Sequence, residues 1–205
     1  MPKRSPALKD KKTTTFILPL GVDFDLESGE MLKATRHLAR KASDMRGYYA
    51  DEGALERLIA ARGDPLHYEV FETPVPEDFG HLMYCISKVQ PGRVGDEFFM
   101  TKGHYHGVVE AAEIYLGLRG EGLVLMKTAE GKVAAEKMTR GRMVYVPPFW
   151  AHRSVNTGDE PLTFFCVYPA DAGHNYGDIQ EGGFPQRVLL RGGRPEIVPS
   201  PPRKR

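Results

Sequence analysis

The sequence predicts an all-β fold, an antiparallel sandwich or barrel preceded by a short helical extension. Three observations carry this. From position 65 onward the chain breaks into about nine short runs rich in β-branched and aromatic residues. Gly, Pro, Asn and Asp punctuate those runs at close intervals, and helical periodicity is confined to the first third of the chain. The alternation of strands with long helices that a parallel sheet requires is missing.

Taken in order, the chain divides into an N-terminal extension (1–64) packed on the barrel, a β domain (65–198) and a basic tail expected to be disordered (199–205). Pro2 to Lys12 is a Lys-rich lead read as solvated. A helical stretch is expected around 31–42. A second, amphipathic helix is expected over 51–62, where Leu55, Leu58, Ile59 and Ala61 recur at helical spacing and Gly63 supplies a stop. Strands are expected near 67–72, 82–89, 97–100, 113–119, 122–128, 133–138, 143–146, 152–156 and 162–168. Turns at 120–122, 130–131 and 157–159 mark expected hairpins.

Composition limits the partners. With 28 basic against 27 acidic residues the chain has no global field to attract nucleic acid or a membrane surface, so an anionic ligand needs a locally built site. No apolar run approaches the roughly 20 residues of a membrane span, and no apolar signal segment follows the basic start. Cys85 and Cys166 form no CxxC pair and are expected to be small buried hydrophobes in a reducing cytoplasm.

The sharpest local feature is His104-Tyr105-His106. Two histidines two apart on a strand share a face and can share one ligand. Glu113 opens the apolar run Ile114-Tyr115-Leu116, where a buried carboxylate is costly unless paired or coordinated. His152 follows Pro147-Pro148 at a strand start and is a fourth candidate ligand, held in direction by the rigid proline entry.

On these residues the sequence resembles the cupin superfamily, whose fold is a jelly-roll barrel or double-stranded β-helix. Gly141, Pro147, His152 and Asn156 match the spacing of the second cupin motif, with Phe149 standing where that motif has glycine. The first motif is matched by the HxH pair and by Glu113 and Gly120, with six residues between them. The six residues between His106 and Glu113 exceed the usual gap, and Glu110 has the generic spacing; Glu113 is preferred because it alternates correctly into a strand. The strings TKGHYH (101–106), EIYLGLRGEG (113–122), VYVPPFWAHR (144–153), VNTGDEP (155–161) and YPADAGHNYG (168–177) are similar to the cupin-type, archaeal-type glucose-6-phosphate isomerases.

That resemblance implies a metal-dependent aldose-ketose isomerase that interconverts glucose 6-phosphate and fructose 6-phosphate. It implies one divalent metal per subunit on His104, His106, Glu113 and His152, with Fe(II) taken first and Mn, Ni, Co or Zn as alternatives. It makes Glu113 the proton carrier through a cis-enediol, with a metal-assisted 1,2-hydride shift as the alternative. Tyr68, Tyr168, His174 and Tyr176 match positions that line a sugar-phosphate pocket, with Tyr115 and Phe164 as further lining. Thr101 and Gly103, just before the ligands, offer a hydroxyl and a backbone N–H to a phosphate. Lys102 is expected to face solvent, and Trp150 to fill the barrel. A cytoplasmic homodimer is expected by analogy of fold. A cupin dioxygenase or decarboxylase, or a cupin that binds sugar without turnover, are the competing readings.

Overall fold

The computed structural model describes residues 13–201. The Lys-rich lead before Thr13 and positions 202–205 of the basic tail lie outside the described residues. Two short strands, β1 (Phe24–Asp25) and β2 (Glu30–Met31), pair with each other ahead of β3 (Arg36–Lys41). A 3-10 turn (Ala42–Met45) and helix α1 (Glu52–Arg62) then lead to β4 (Leu66–Glu72) and β5 (Leu82–Val89). The chain continues through β6 (Arg93–Val94), β7 (Glu97–Phe98), β8 (Tyr105–His106), β9 (Glu113–Arg119), β10 (Glu121–Lys127), β11 (Val133–Thr139) and β12 (Met143–Val146). It closes with β13 (Ala151–Asn156), β14 (Leu162–Pro169), β15 (His174–Asn175), α2 (Gly177–Gly182), β16 (Gln186–Arg191) and β17 (Arg194–Pro199).

Helix α1 forms where its apolar spacing predicts, and both ends are built by side chain or backbone. Asp51 accepts a hydrogen bond from the Ala54 N–H at 2.8 Å, and Gly63 ends the helix in the left-handed region at φ 66°. Leu55 is fully buried, with Leu58 and Ile59 packed against the same core.

The helical expectation for 31–42 is corrected. Residues Arg36–Lys41 pair with β4 from Arg36↔Glu72 to Lys41↔Leu66, extending the sheet by one strand. The Ala, Leu, Arg and Lys of this stretch favour a helix in isolation, but ladder bonds to an existing strand outweigh so small a preference.

Strands β12, β9, β14, β5, β4 and β3 form one six-stranded antiparallel sheet in that order, and β11, β10 and β13 form a second of three. The all-β, cupin-type class read from the sequence is the class observed. Consecutive strands switch sheets: β9 lies in the larger, β10 and β11 in the smaller, β12 in the larger, β13 in the smaller and β14 in the larger. The turns at 120–122 and 157–159 are therefore corners between sheets and not the expected hairpins, whereas 130–131 does join the hairpin β10/β11. A side chain on Gly122 would run into the carbonyl oxygen of Val155, so the corner needs glycine for close approach. The sequence reading also passed over the hairpin β16/β17, which reaches the rest of the fold through Leu189↔Glu97.

One side chain ties the second corner to the larger sheet. Asn156 is fully buried; its amide donates to the carbonyls of Val89 and Glu160, each at 2.8 Å, and its carbonyl accepts from Gly158 N–H at 2.9 Å. Asn156→Ala strands two buried carbonyls and is expected to cost about 3 kcal/mol in urea unfolding. His67 generates a second expectation. Its buried ring stacks on Phe99 with centroids 3.7 Å apart and contacts the Tyr49 hydroxyl at 3.0 Å. Burial pushes its pKa down to about 4, against the partial support of the Pro65 carbonyl and Asp64. An unfolded histidine protonates near 6.5, so the unfolded chain binds the extra proton between 6.5 and about 4 and stability falls as pH drops through that window. The loss approaches about 3 kcal/mol at the acid end, and a pH series of thermal melts on His67→Phe should show a flatter slope there.

Candidate active site

The site is assembled by strands that lie far apart in sequence. Residues 99–104 run antiparallel beside β13, bridged at Met100↔Val155 and His104↔His152. His104 and His152 exchange both backbone hydrogen bonds, at 3.2 and 3.0 Å, so their side chains leave the ladder together. Strand β9 of the facing sheet delivers Glu113, and β8 delivers His106. The ligand atoms of His104, His106, Glu113 and His152 all lie within 4.8 Å of one another. Glu110 is exposed, away from this cluster.

Two of the three imidazoles are turned by their second nitrogen. His106 Nδ1 faces the Ala111 carbonyl at 3.0 Å, which can only accept, so this nitrogen donates and Nε2 is the atom presented to Glu113 at 3.3 Å. His152 Nδ1 lies 3.4 Å from the Trp150 carbonyl, leaving Nε2 at 2.9 Å from the same Glu113 oxygen but out of line for a hydrogen bond. His104 Nε2 is buried without a hydrogen-bond partner. Orphaned imidazole nitrogens around a buried carboxylate are costly unless a cation completes them. The donor set therefore fits a borderline divalent ion.

The electrostatics agree with that geometry. Burial, followed by the other imidazoles, holds His104 well below its ordinary value and therefore neutral. Burial alone would raise Glu113, but His106 and His152 outweigh it and keep the carboxylate low and ionised. Burial works against protonating His106, yet the same Glu113 contact lifts its pKa.

A cavity of about 290 Å³ opens onto this cluster, lined in part by Tyr68, Thr101, Gly103, Tyr115, Phe164, Tyr168, His174 and Tyr176. All six residues expected to hold substrate thus reach one wall or another of a single cavity. The Tyr168 ring lies 6.0 Å from that of His106, and the His174 ring 4.5 Å from that of His104, with Tyr176 stacked on His174 at 5.9 Å. Trp150 packs against the core, as expected.

Lys102 is a correction. Strand alternation predicts an outward side chain, but Gly103 sits at φ 75° and breaks the alternation. Lys102 is half-buried and lines the cavity, its Nζ 5.2 Å over the Tyr48 ring. A Cβ at Gly103 would come within 2.9 Å of the His152 carbonyl and 2.8 Å of Phe184, so no other residue fits this turn. Phe149, which replaces the glycine of the second motif, keeps a glycine-like backbone at φ 70°, a strained conformation for an aromatic residue.

The sequence reading missed Arg36 and Arg40 because it did not see β3 as a strand. Side chains at 36, 38 and 40 share one face of β3, and Arg36 and Leu38 line the cavity. Arg36 is neutralised by Glu72 at 3.2 Å and Glu77 at 3.0 Å. Arg40 pairs in register with Tyr68, and its buried Nε has no hydrogen-bond partner.

A sequence profile of the family described as glucose-6-phosphate isomerase (GPI) matches residues 39–196, a span that holds every cavity residue from Tyr68 onward. The chain belongs to the glucose-6-phosphate isomerase family. It is 49% identical to the glucose-6-phosphate isomerase of Thermococcus gammatolerans over 183 residues, 89% of this chain and 95% of that protein. The corresponding protein of Pyrococcus horikoshii is 46% identical over 89% of this chain and 96% of its own length. Among solved structures, an oxalate oxidase aligns over 55% of this chain and 56% of its own, with a TM-score of 0.45 and 17% identity. The chain is an enzyme of this isomerase family. Among the described residues no helix is long and apolar enough to cross a membrane.

Proposed function

We propose that this enzyme is a metal-dependent isomerase that interconverts glucose 6-phosphate and fructose 6-phosphate in the cytoplasm. The observation that carries the metal dependence is the buried cluster of His104, His106, Glu113 and His152 at one end of the cavity, with two imidazole nitrogens lacking hydrogen-bond partners. Family membership supports the reaction. In this reading the four side chains hold one divalent cation per subunit, Fe(II) first. When bound, such an ion supplies Lewis-acid polarisation to the oxygens on the reacting carbons.

The chain's own residues do the rest. Glu113, inside the cluster, takes the proton from C2 of the open-chain aldose and returns it to C1, passing through a cis-enediol. Tyr168 and His174, flanking the cluster, orient the sugar hydroxyls. The phosphate lies toward Tyr68, Thr101, Gly103 and Tyr176, which line the same cavity. Lys102 and Arg40 add the charge that a near-neutral protein otherwise lacks. Burial, followed by the Arg40 charge, depresses the Lys102 ammonium. The exposed apolar side chains Met143 and Tyr145 on edge strand β12 support a homodimer as part of the same proposal.

Purified protein should convert fructose 6-phosphate to glucose 6-phosphate, lose that activity to a chelator and recover it with Fe(II), Mn(II), Ni(II) or Zn(II). His152→Ala should show no metal-restored activity, and Glu113→Gln should lower kcat by about 10²- to 10⁴-fold. Stable metal binding with no isomerisation under any of these ions would sink the reading and favour an oxygen-using or non-catalytic relative. At the phosphate end, Arg40→Gln is expected to raise KM for fructose 6-phosphate by about 10- to 100-fold with kcat little changed. Steady-state kinetics with Arg40→Lys as a partial rescue decides this; an unchanged KM removes Arg40 from the site.

A further inference from the structure

Cys85 and Cys166 are 81 residues apart in sequence, yet they are register partners on β5 and β14. Both side chains leave the sheet on the same face, directly opposite each other, and that face lines the candidate active cavity. They stand in a row across four strands, Glu72↔Cys85 on one side and Cys166↔Tyr115 on the other. Both thiols are free. Directly opposed residues of an antiparallel pair have Cα atoms roughly 4.5–5.5 Å apart. That spacing falls inside the roughly 4.4–6.8 Å over which a disulfide forms. The cavity reaches solvent at Tyr176, which is 41% exposed, so a small reagent has a path to the sulfurs although the protein surface hides them.

We propose that Cys85 and Cys166 are a modification site, a cavity-facing dithiol that a small disulfide oxidant closes into an intrachain disulfide and a thiol reductant reopens. One cysteine loses its proton and its sulfur displaces one thiol from the oxidant, forming a mixed disulfide. The second cysteine then attacks the protein sulfur of that mixed disulfide and releases the other thiol. Two protein thiols and one disulfide thus become one protein disulfide and two small thiols. Burial, then the adjacent Cys85 sulfur, pushes the Cys166 thiol well up, so the attacking thiolate is scarce and closure is slow.

The site bears on activity through its neighbours, a consequence that rests on the isomerase reading above. Strand β14 is bonded on its other side to β9, the strand of Glu113 and Tyr115. Drawing the two sulfurs into a covalent bond reshapes the wall between those residues and Tyr168, so the oxidised form should turn over more slowly.

The test uses the full-length, metal-loaded protein incubated with bis(2-hydroxyethyl) disulfide, followed by alkylation under denaturing conditions and intact mass analysis. The expected product has lost two hydrogens, takes up no alkylating agent, yields one peptide pair linking Cys85 to Cys166, and reverts with dithiothreitol. Cys85→Ser should give no such loss. Two alkylated cysteines after treatment of the folded protein, or a stable mixed disulfide on one of them, would overturn the proposal. Isomerase activity should fall about fivefold or more in step with the disulfide fraction in wild type and stay constant in Cys85→Ser. A disulfide that forms without any change in rate overturns the link to activity. A disulfide in a protein with no isomerase activity to begin with overturns the isomerase reading instead and leaves the modification standing.

Discussion

The site depends on one pair of backbone hydrogen bonds, the reciprocal exchange between His104 and His152. It fixes the register of residues 99–104 against β13, and a slip of one residue would turn one imidazole to the opposite face. The Met100↔Val155 bridge aligns the start of this segment, but Gly103 bends the chain after it, so the His104–His152 pair sets the register at the cluster itself. Proline entry at 147–148 and the strained turn at Phe149 start β13 at the right place; Asn156 closes its other end. The whole smaller sheet thus serves as a ruler for one histidine.

Glu113 comes from the facing sheet, and its carboxylate lies within 3.3 Å of His106 and 2.9 Å of His152. A charge buried this deeply is costly unless cationic or coordinating partners surround it. The partners come from separate segments of chain, so the polar cluster forms only when the two sheets close on each other. Its apolar surroundings then strengthen every charge interaction inside the cavity. The same closure leaves imidazole nitrogens without partners, which makes the assembly a poor core and a good receptor for a cation.

The cavity is polar at both ends for different reasons. Around Glu113 the polarity is buried, dense and shared among ring nitrogens. Toward Tyr68 it is made of hydroxyl-bearing side chains, the Gly103 turn and the Lys102 ammonium, which lies over the Tyr48 ring. Such a division suits the proposed ligand, with its reacting end and charged handle, because a chain of near-zero net charge needs a locally built site for an anion.

Much of this was legible before any coordinates. Hydrophobic period located helix α1 and most of the central strands, and motif spacing brought His104, His106, Glu113 and His152 onto one list, because ligand chemistry restricts which residue types serve. The sequence alone could not show that 31–42 includes a strand, since its side chains favour a helix and only pairing with β4 decides otherwise. For the same reason Arg36 and Arg40 went unseen, and Lys102 was turned the wrong way by an alternation that a single glycine dihedral breaks. Nor could two cysteines 81 residues apart announce that they face each other. Local preference and residue chemistry are written along the chain and determined the class of fold and the candidate ligand set. Register, corners between sheets and cross-strand neighbours are settled by long-range pairing, and those only the tertiary structure decided.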